Sequence, residues 1–267
     1  MQKSLFLFLA LTLILGSCSK KSTVPTATTS SPATKAPTPA TAGAANKMIS
    51  DAKAIDVMKK YIAAIGGKEK LMGIKTMMTK MTGSTSMGEI NIINYVKDGK
   101  SAMKTEMGGT TVMEQVFDGT AIQVSGMGGK QTITDAATIK AAKKQANLFE
   151  ELDQLLSDKV VKKYMGTEDL NGKQVHKIVV IDEDKKESTQ YFDVVTNLLS
   201  RTISPVDAMG STSKQTMDFE DYKDVNGVMF PHMVKMSGGA IPFPLEMKIT
   251  SMMMNSDLPD QLFKIIN

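Results

Sequence analysis

The chain is 267 residues long with a formal net charge of +4, one cysteine and no tryptophan. A lone cysteine excludes disulfides within the chain, so any folded part stands on its hydrophobic core. Five of the 32 basic residues (Lys3, Lys20, Lys21, Lys35 and Lys47) precede Met48, which leaves 27 basic against 28 acidic residues beyond it. That near-neutral balance excludes a broad basic surface for nucleic acid.

The chain opens with one lysine, Lys3, followed by the apolar run Leu5 to Leu15. A run of eleven residues suits the central region of a secretory signal and falls short of a membrane-spanning helix. The run ends Leu15-Gly16-Ser17-Cys18, which resembles the lipobox of bacterial lipoproteins. The expectation is therefore a signal peptide over 1–17, cleavage before Cys18, and acyl and diacylglycerol groups on that cysteine as a membrane anchor. No other cofactor is expected. From Cys18 to Lys47 the chain is almost wholly Ser, Thr, Ala, Pro and Lys. It cannot bury enough surface to fold and reads as a flexible tether, with a coil span of roughly 30 Å.

The domain expected over 48–267 begins with a helix. Ser50 or Asp51 can cap it, Ile55, Met58, Ile62 and Ile65 recur at helical spacing, and Gly66-Gly67 stops it. A short turn over Lys68 to Met72 follows. Beyond it, β-prone runs near 76–86, 89–97, 101–107, 110–117 and 120–125 lead to a helix-prone insert, Thr134 to Ser157. Its Leu148, Leu152 and Leu155 form a stripe. Further runs lie near 159–166, 173–182, 187–194, 197–204, 211–223, 228–237 and 244–254. Asp98-Gly99, Asp118-Gly119, Asn171-Gly172 and Asn226-Gly227 are hairpin signals, because tight primed turns need positive φ. The fold class implied is mainly β (α+β). It is a curved antiparallel sheet or unclosed barrel of about 11–12 strands, with the N-terminal helix and the insert as its lid. A β-sandwich is the competing arrangement.

Motifs for catalysis are missing. His176 and His232 are the only histidines, so no H-E-x-x-H zinc site exists, and there is neither a G-x-S-x-G elbow nor a P-loop. Glu220 and Asp221 alternate along a strand and point to opposite faces. No catalytic or metal-binding residue is assigned, and an enzyme is not expected. Methionine is abundant: 21 occur from Met48 onward, against eleven leucines. They can replace leucine in an ordinary core, line a deformable cavity, or capture a soft metal.

A ligand site is expected from strand alternation. Leu245, Met247, Ile249 and Met253 alternate with Glu246, Lys248 and Thr250. Met217 and Phe219 share a face of their strand, as do Met113 and Phe117, and Ile122 and Val124. Lining a concave face, Met113, Phe117, Ile122, Val124, Met217, Phe219, Leu245, Met247 and Ile249 would make an apolar cavity. The alternative is that they pack against the helix bearing Ile55, Met58 and Ile62, leaving no space.

Several segments carry a family resemblance: YIAAIGGKEKLMGIKT over 61–76, FDG at 117–119, LFEELDQLL at 148–156, NGKQVHKIVV at 171–180, YFDVVTNLLSR at 191–201 and FEDYKDVNGVMFPHMVKM at 219–236. In order and spacing they resemble the outer-membrane lipoprotein-sorting proteins of Bacteroidetes-type bacteria, similar to the carrier LolA and the receptor LolB. The resemblance implies an unclosed β-barrel under a helical lid, with a cavity for acyl chains and a lipid or lipoprotein as ligand. This chain departs from LolA in its expected anchor, as LolB does, and in its scarcity of aromatic residues. Ser19 follows the expected lipidation site, without the aspartate that favours inner-membrane retention, and residues 19–24 lack an acidic surface-export cluster. The expected location is the outer membrane, with the domain facing the periplasm. The alternatives are a non-binding structural envelope lipoprotein and a Met-rich periplasmic metal-binding module.

Overall fold

The computed structural model describes residues 49–85, 88–126, 128–148, 150–208, 211–239 and 244–266. The expected signal, Cys18 and the tether lie outside them. Helix α1 (Ala52–Ala64) buries Ala54, Val57, Met58, Tyr61 and Ile62, a stripe centred slightly off the expected one. Gly66 ends it at φ 125°, close against the turn at Gly227–Val228, where an added Cβ would lie 2.7 Å from the Gly227 carbonyl oxygen. A short α2 (Lys68–Met72) follows.

Thirteen strands make one antiparallel sheet: β1 (Thr76–Thr85), β2 (Gly88–Lys97), β3 (Lys100–Met107), β4 (Thr110–Phe117), β5 (Ile122–Gly126), β6 (Gly129–Ile133), β7 (Val161–Leu170), β8 (Lys173–Ile181), β9 (Glu187–Asp193), β10 (Leu199–Ala208), β11 (Ser211–Val225), β12 (Val228–Gly238) and β13 (Leu245–Met254). Their spatial order is β6-β5-β4-β3-β2-β1-β13-β12-β11-β10-β9-β8-β7. Two meanders thus meet where β1 pairs with β13. The free edges are β6 and β7, and the chain between them forms α3 (Ala136–Gln145) and α4 (Glu150–Leu156). The curved sheet is an unclosed barrel, not a sandwich.

Local chemistry accounts for most of the turns. Asp98-Gly99, Asn171-Gly172 and Asn226-Gly227 all have positive φ at both residues, as primed hairpin turns require. Asp118-Gly119 differs. Asp118 Oδ1 accepts from the Thr120 and Ala121 amides in a wider side-chain-built turn, so β5 starts at Ile122 rather than 120. The thirteenth strand, β6, was not expected, because its sequence GKQTI is polar and almost wholly exposed. Asn197, expected to begin a strand, instead turns at φ 58° and β10 starts at Leu199.

Two further expectations are corrected. Ser50 and Asp51 do not cap α1 through their side chains. They lace onto the open edge of β7: Asp51 N–H donates to Lys162 O at 2.8 Å, Lys162 N–H to Ser50 Oγ at 3.1 Å, and Tyr164 N–H to Asp51 Oδ2 at 2.8 Å. Unpaired edge groups are thereby satisfied, which blunts a template for aggregation. The apolar alternation of β13 also breaks. Lys80 pairs with Ser251 but Met81 pairs with Ile249, so Thr250 is an extra residue, a bulge. The bulge reverses the facing beyond it: Met253 is exposed, whereas Met252 and Met254 pack against the main core.

Candidate functional site on the concave face

The sheet presents its inner face to α1. Tyr61 of α1 lies against Phe192 of β9, ring centroids 5.2 Å apart. Five of the nine expected lining residues, Met217, Phe219, Leu245, Met247 and Ile249, are buried in one core with Val57, Met58, Tyr61 and Ile62 of α1. Met113 packs at its margin, half-buried. Phe117, Ile122 and Val124 belong elsewhere, to a smaller cluster with Ile133 and with Ile139, Ala142 and Ala146 of α3. The inner face therefore has two apolar floors, the main one under α1 and α4 and the lesser one under α3. Met247 packs tightly onto Gly83, where an added Cβ would collide with its Sδ.

The main floor is not uniformly apolar. Thr105, Gln190 and Thr202 are buried on it, and Thr105 Oγ1, Thr202 Oγ1 and both amide atoms of Gln190 have no hydrogen-bond partner. Gln190 sits two residues from Phe192 and so shares its inward face. It pairs across strands with Thr202 on one side and Ile178 on the other. A buried polar group left without a partner costs about 1–3 kcal/mol. The sequence reading missed these residues. The available signal was the alternation Ser188, Gln190, Phe192, which puts an amide in line with a core aromatic.

At the gap between the sheet edges lies Lys162, 2% exposed. Its Nζ donates to the Leu155 and Ser157 carbonyls at 3.1 and 2.9 Å, gripping the C-terminal end of α4. Burial lowers its pKa, opposed by nearby Asp158. Next to it Tyr164 Oη meets His176 Nδ1 at 3.1 Å, and the Lys53 ammonium lies 4.4 Å from the Tyr164 ring centre. Burial first, then Lys53 and Lys60, pushes the His176 pKa down. The single arginine, Arg201, pairs with Asp218 across β10–β11, Nη2 to Oδ2 at 3.0 Å, and serves the sheet.

The outer face of β1–β5 has its own cover. Met78, Tyr95, Ala102 and Val116 form a row packed under Leu258, Leu262 and Phe263 of the C-terminal segment. Outside α3 an open groove of about 560 Å³ is lined by Ala136, Ile139, Lys140, Lys143, Lys144, Asn147 and Glu150. Lys140 is paired there with Asp184 at 3.1 Å. Such an open, lysine-rimmed groove does not enclose an acyl chain. Among the described residues, no group of three or more His, Cys, Asp or Glu could hold a metal ion, and no helix is long and apolar enough to cross a membrane.

No family model matches the chain, and no curated protein does. Solved structures do. A DUF1329 family protein from Desulfovibrio piger superposes with a TM-score of 0.54 at 10% identity, covering 79% of this chain and 97% of its own. A putative outer membrane lipoprotein-sorting protein domain from Vibrio parahaemolyticus gives 0.52 at 14% identity, covering 79% and 96%. A LolA superfamily protein from Nitrosomonas europaea gives 0.51 at 12% identity, covering 79% and 97%. At these identities the likeness is one of fold: this chain has the LolA-like unclosed sheet.

Proposed function

We propose that this chain is an envelope lipoprotein, anchored through acyl groups on Cys18, whose domain binds a hydrophobic ligand on the inner face of its sheet. The ligand class is an acyl chain or the lipidated end of another lipoprotein, and the setting is the outer membrane with the domain towards the periplasm. The protein has no catalytic role and uses no cofactor beyond its own anchor.

One observation carries this reading. The main floor of the inner face is methionine-rich, with Met81, Met217, Met236 and Met247 buried on it, and its cover α1 meets it through apolar side chains. Flexible thioethers repack around guests of varied shape. Burying about ten methylenes contributes roughly 8 kcal/mol gross. Moving α1 aside and ordering the ligand bring the net to micromolar affinity or weaker.

The competing reading is a structural envelope protein with a filled core, favoured by the way α1 already occupies the inner face. A fluorescent acyl-chain probe added to the delipidated full chain separates the two. The expected result is saturable binding with faster amide exchange confined to α1 and α4. A chain that never binds the probe is structural, and binding that leaves α1 protected puts the ligand elsewhere.

A further inference from the structure

We infer that Gln190 and Thr202 form a recognition site for an uncharged carbonyl head, an ester or amide joined to an alkyl chain. The inference rests on the proposed hydrophobic ligand and specifies which part of it is read. Gln190 has no exposed surface, and neither its carbonyl oxygen nor its amide nitrogen has a partner. Thr202, its direct cross-strand neighbour, is 2% exposed and likewise unpartnered at Oγ1. A single orphaned hydroxyl is unremarkable, but three orphaned polar atoms on adjacent inward positions amount to an unmet demand for hydrogen bonds.

The row through this pair suggests the shape of what meets it. Crossing the sheet, Thr202 pairs with Met217, Met217 with Met236, and Met236 with Leu245. The inner face thus runs from an amide and a hydroxyl to two methionines and a leucine. Four interstrand steps make this row about 19 Å long. A polar end followed by a deformable apolar track complements a molecule with one carbonyl head and one alkyl chain. Met217, next to the polar pair, can swing aside to admit it.

The head must be uncharged. Lys162 is the only charged residue among the buried ones described, and it is committed to the end of α4. No cation lies in the row to compensate a carboxylate, whose burial without a partner is strongly unfavourable. Gln190 offers two donors and an acceptor, and Thr202 one more hydroxyl. That set matches an ester or amide carbonyl and its neighbouring hydroxyl or N–H.

The test uses the delipidated full chain, with 1-monopalmitoylglycerol and hexadecane as competitors of the fluorescent probe. Gln190→Met keeps the length of the side chain and removes its polarity. It should weaken monopalmitoylglycerol at least tenfold, change hexadecane by less than twofold, and raise the melting temperature, since the amide has nothing to lose. Thr202→Val should act in the same direction by a smaller factor. Unchanged monopalmitoylglycerol affinity in Gln190→Met overturns the site, as does a lower melting temperature, which would mean that the amide is satisfied within the fold. Wild-type protein that binds hexadecane as well as the ester refutes the head-group site while leaving the hydrophobic ligand intact. Protein that binds neither competitor nor probe refutes both.

Discussion

The two faces of β1–β5 and β13 are covered by very different means. The inner face lies under α1 and, at β4–β5, under α3, and both covers meet it through apolar side chains. Helix α1 is tied at its ends, where Asp51 is laced to β7 and the Ile65 carbonyl accepts from Met229 N–H at 3.0 Å. The outer face lies under the C-terminal segment, which is fastened along its length. Thr76 Oγ1 donates to Ser256 O at 2.6 Å, Lys97 Nζ reaches both Leu258 O and Asp260 Oδ1 at 2.9 Å, and the Gln123 amide brackets Ile266, donating to its carbonyl at 3.0 Å and accepting its N–H at 3.3 Å. Apolar contact is non-directional and tolerates repacking, whereas hydrogen bonds to backbone hold one geometry. The outer cover is therefore a fixed strap, and the inner cover is the one that can yield to a ligand.

Truncation gives the largest test of that contrast. Phe263→Ala in the strap should cost about 3–5 kcal/mol in urea unfolding and leave probe affinity unchanged. Met58→Ala in α1 should cost about 2–5 kcal/mol and tighten probe binding, because less packing is lost when α1 moves. If both variants shift affinity equally, the two covers are not functionally distinct. Next comes Gln123→Leu, which removes the bracket on Ile266. A loss of about 1–2 kcal/mol is expected, with faster amide exchange at 258–266 and none at α1. Exchange spreading to α1 would show that strap and helix are one cooperative unit.

Two smaller effects depend on pH. Burial holds the Lys162 pKa below its usual 10.5, so in the pH range just below 10.5 the unfolded chain binds more protons. Stability should rise with pH there, and Lys162→Met should flatten that rise while loosening α4. His176 follows the same sign, its pKa lying below 6.5. Stability should fall as pH drops below 6.5 towards the lower folded value, and His176→Gln should remove that slope. Melting curves across the two windows check both, and a slope of opposite sign would mean that burial does not lower these two pKa values.

Much of this was readable along the chain. Asn171-Gly172 and Asn226-Gly227 were identified as turns because a primed turn demands positive φ and few residues tolerate it. The α1 stripe and the Leu148, Leu152 and Leu155 stripe of the insert are visible as helical periodicity; α1, α3 and α4 form there, with Leu148 in the turn before α4. Which inward residues share a cover was half legible. Met217, Phe219, Leu245, Met247 and Ile249 gather on one floor, while Phe117, Ile122 and Val124 lie under α3. Alternation says which residues share a face of one strand, but it cannot say which helix covers that face.

What the sequence by itself determined was the order of elements, the antiparallel hairpins and the inward set of most strands, since each follows from dihedral preference and polarity within a few residues. Tertiary structure alone decided the rest. Pairing of β1 with β13, separated by some 170 residues, places the open seam at β6 and β7. The bulge at Thr250 turns Met253 outward. Ser50 and Asp51 serve the edge of β7 instead of their own helix, and Gln190 is enclosed without a partner. Each of these is an outcome of curvature and closure, which bring distant backbone groups together, and no window of neighbouring residues encodes which distant group will arrive.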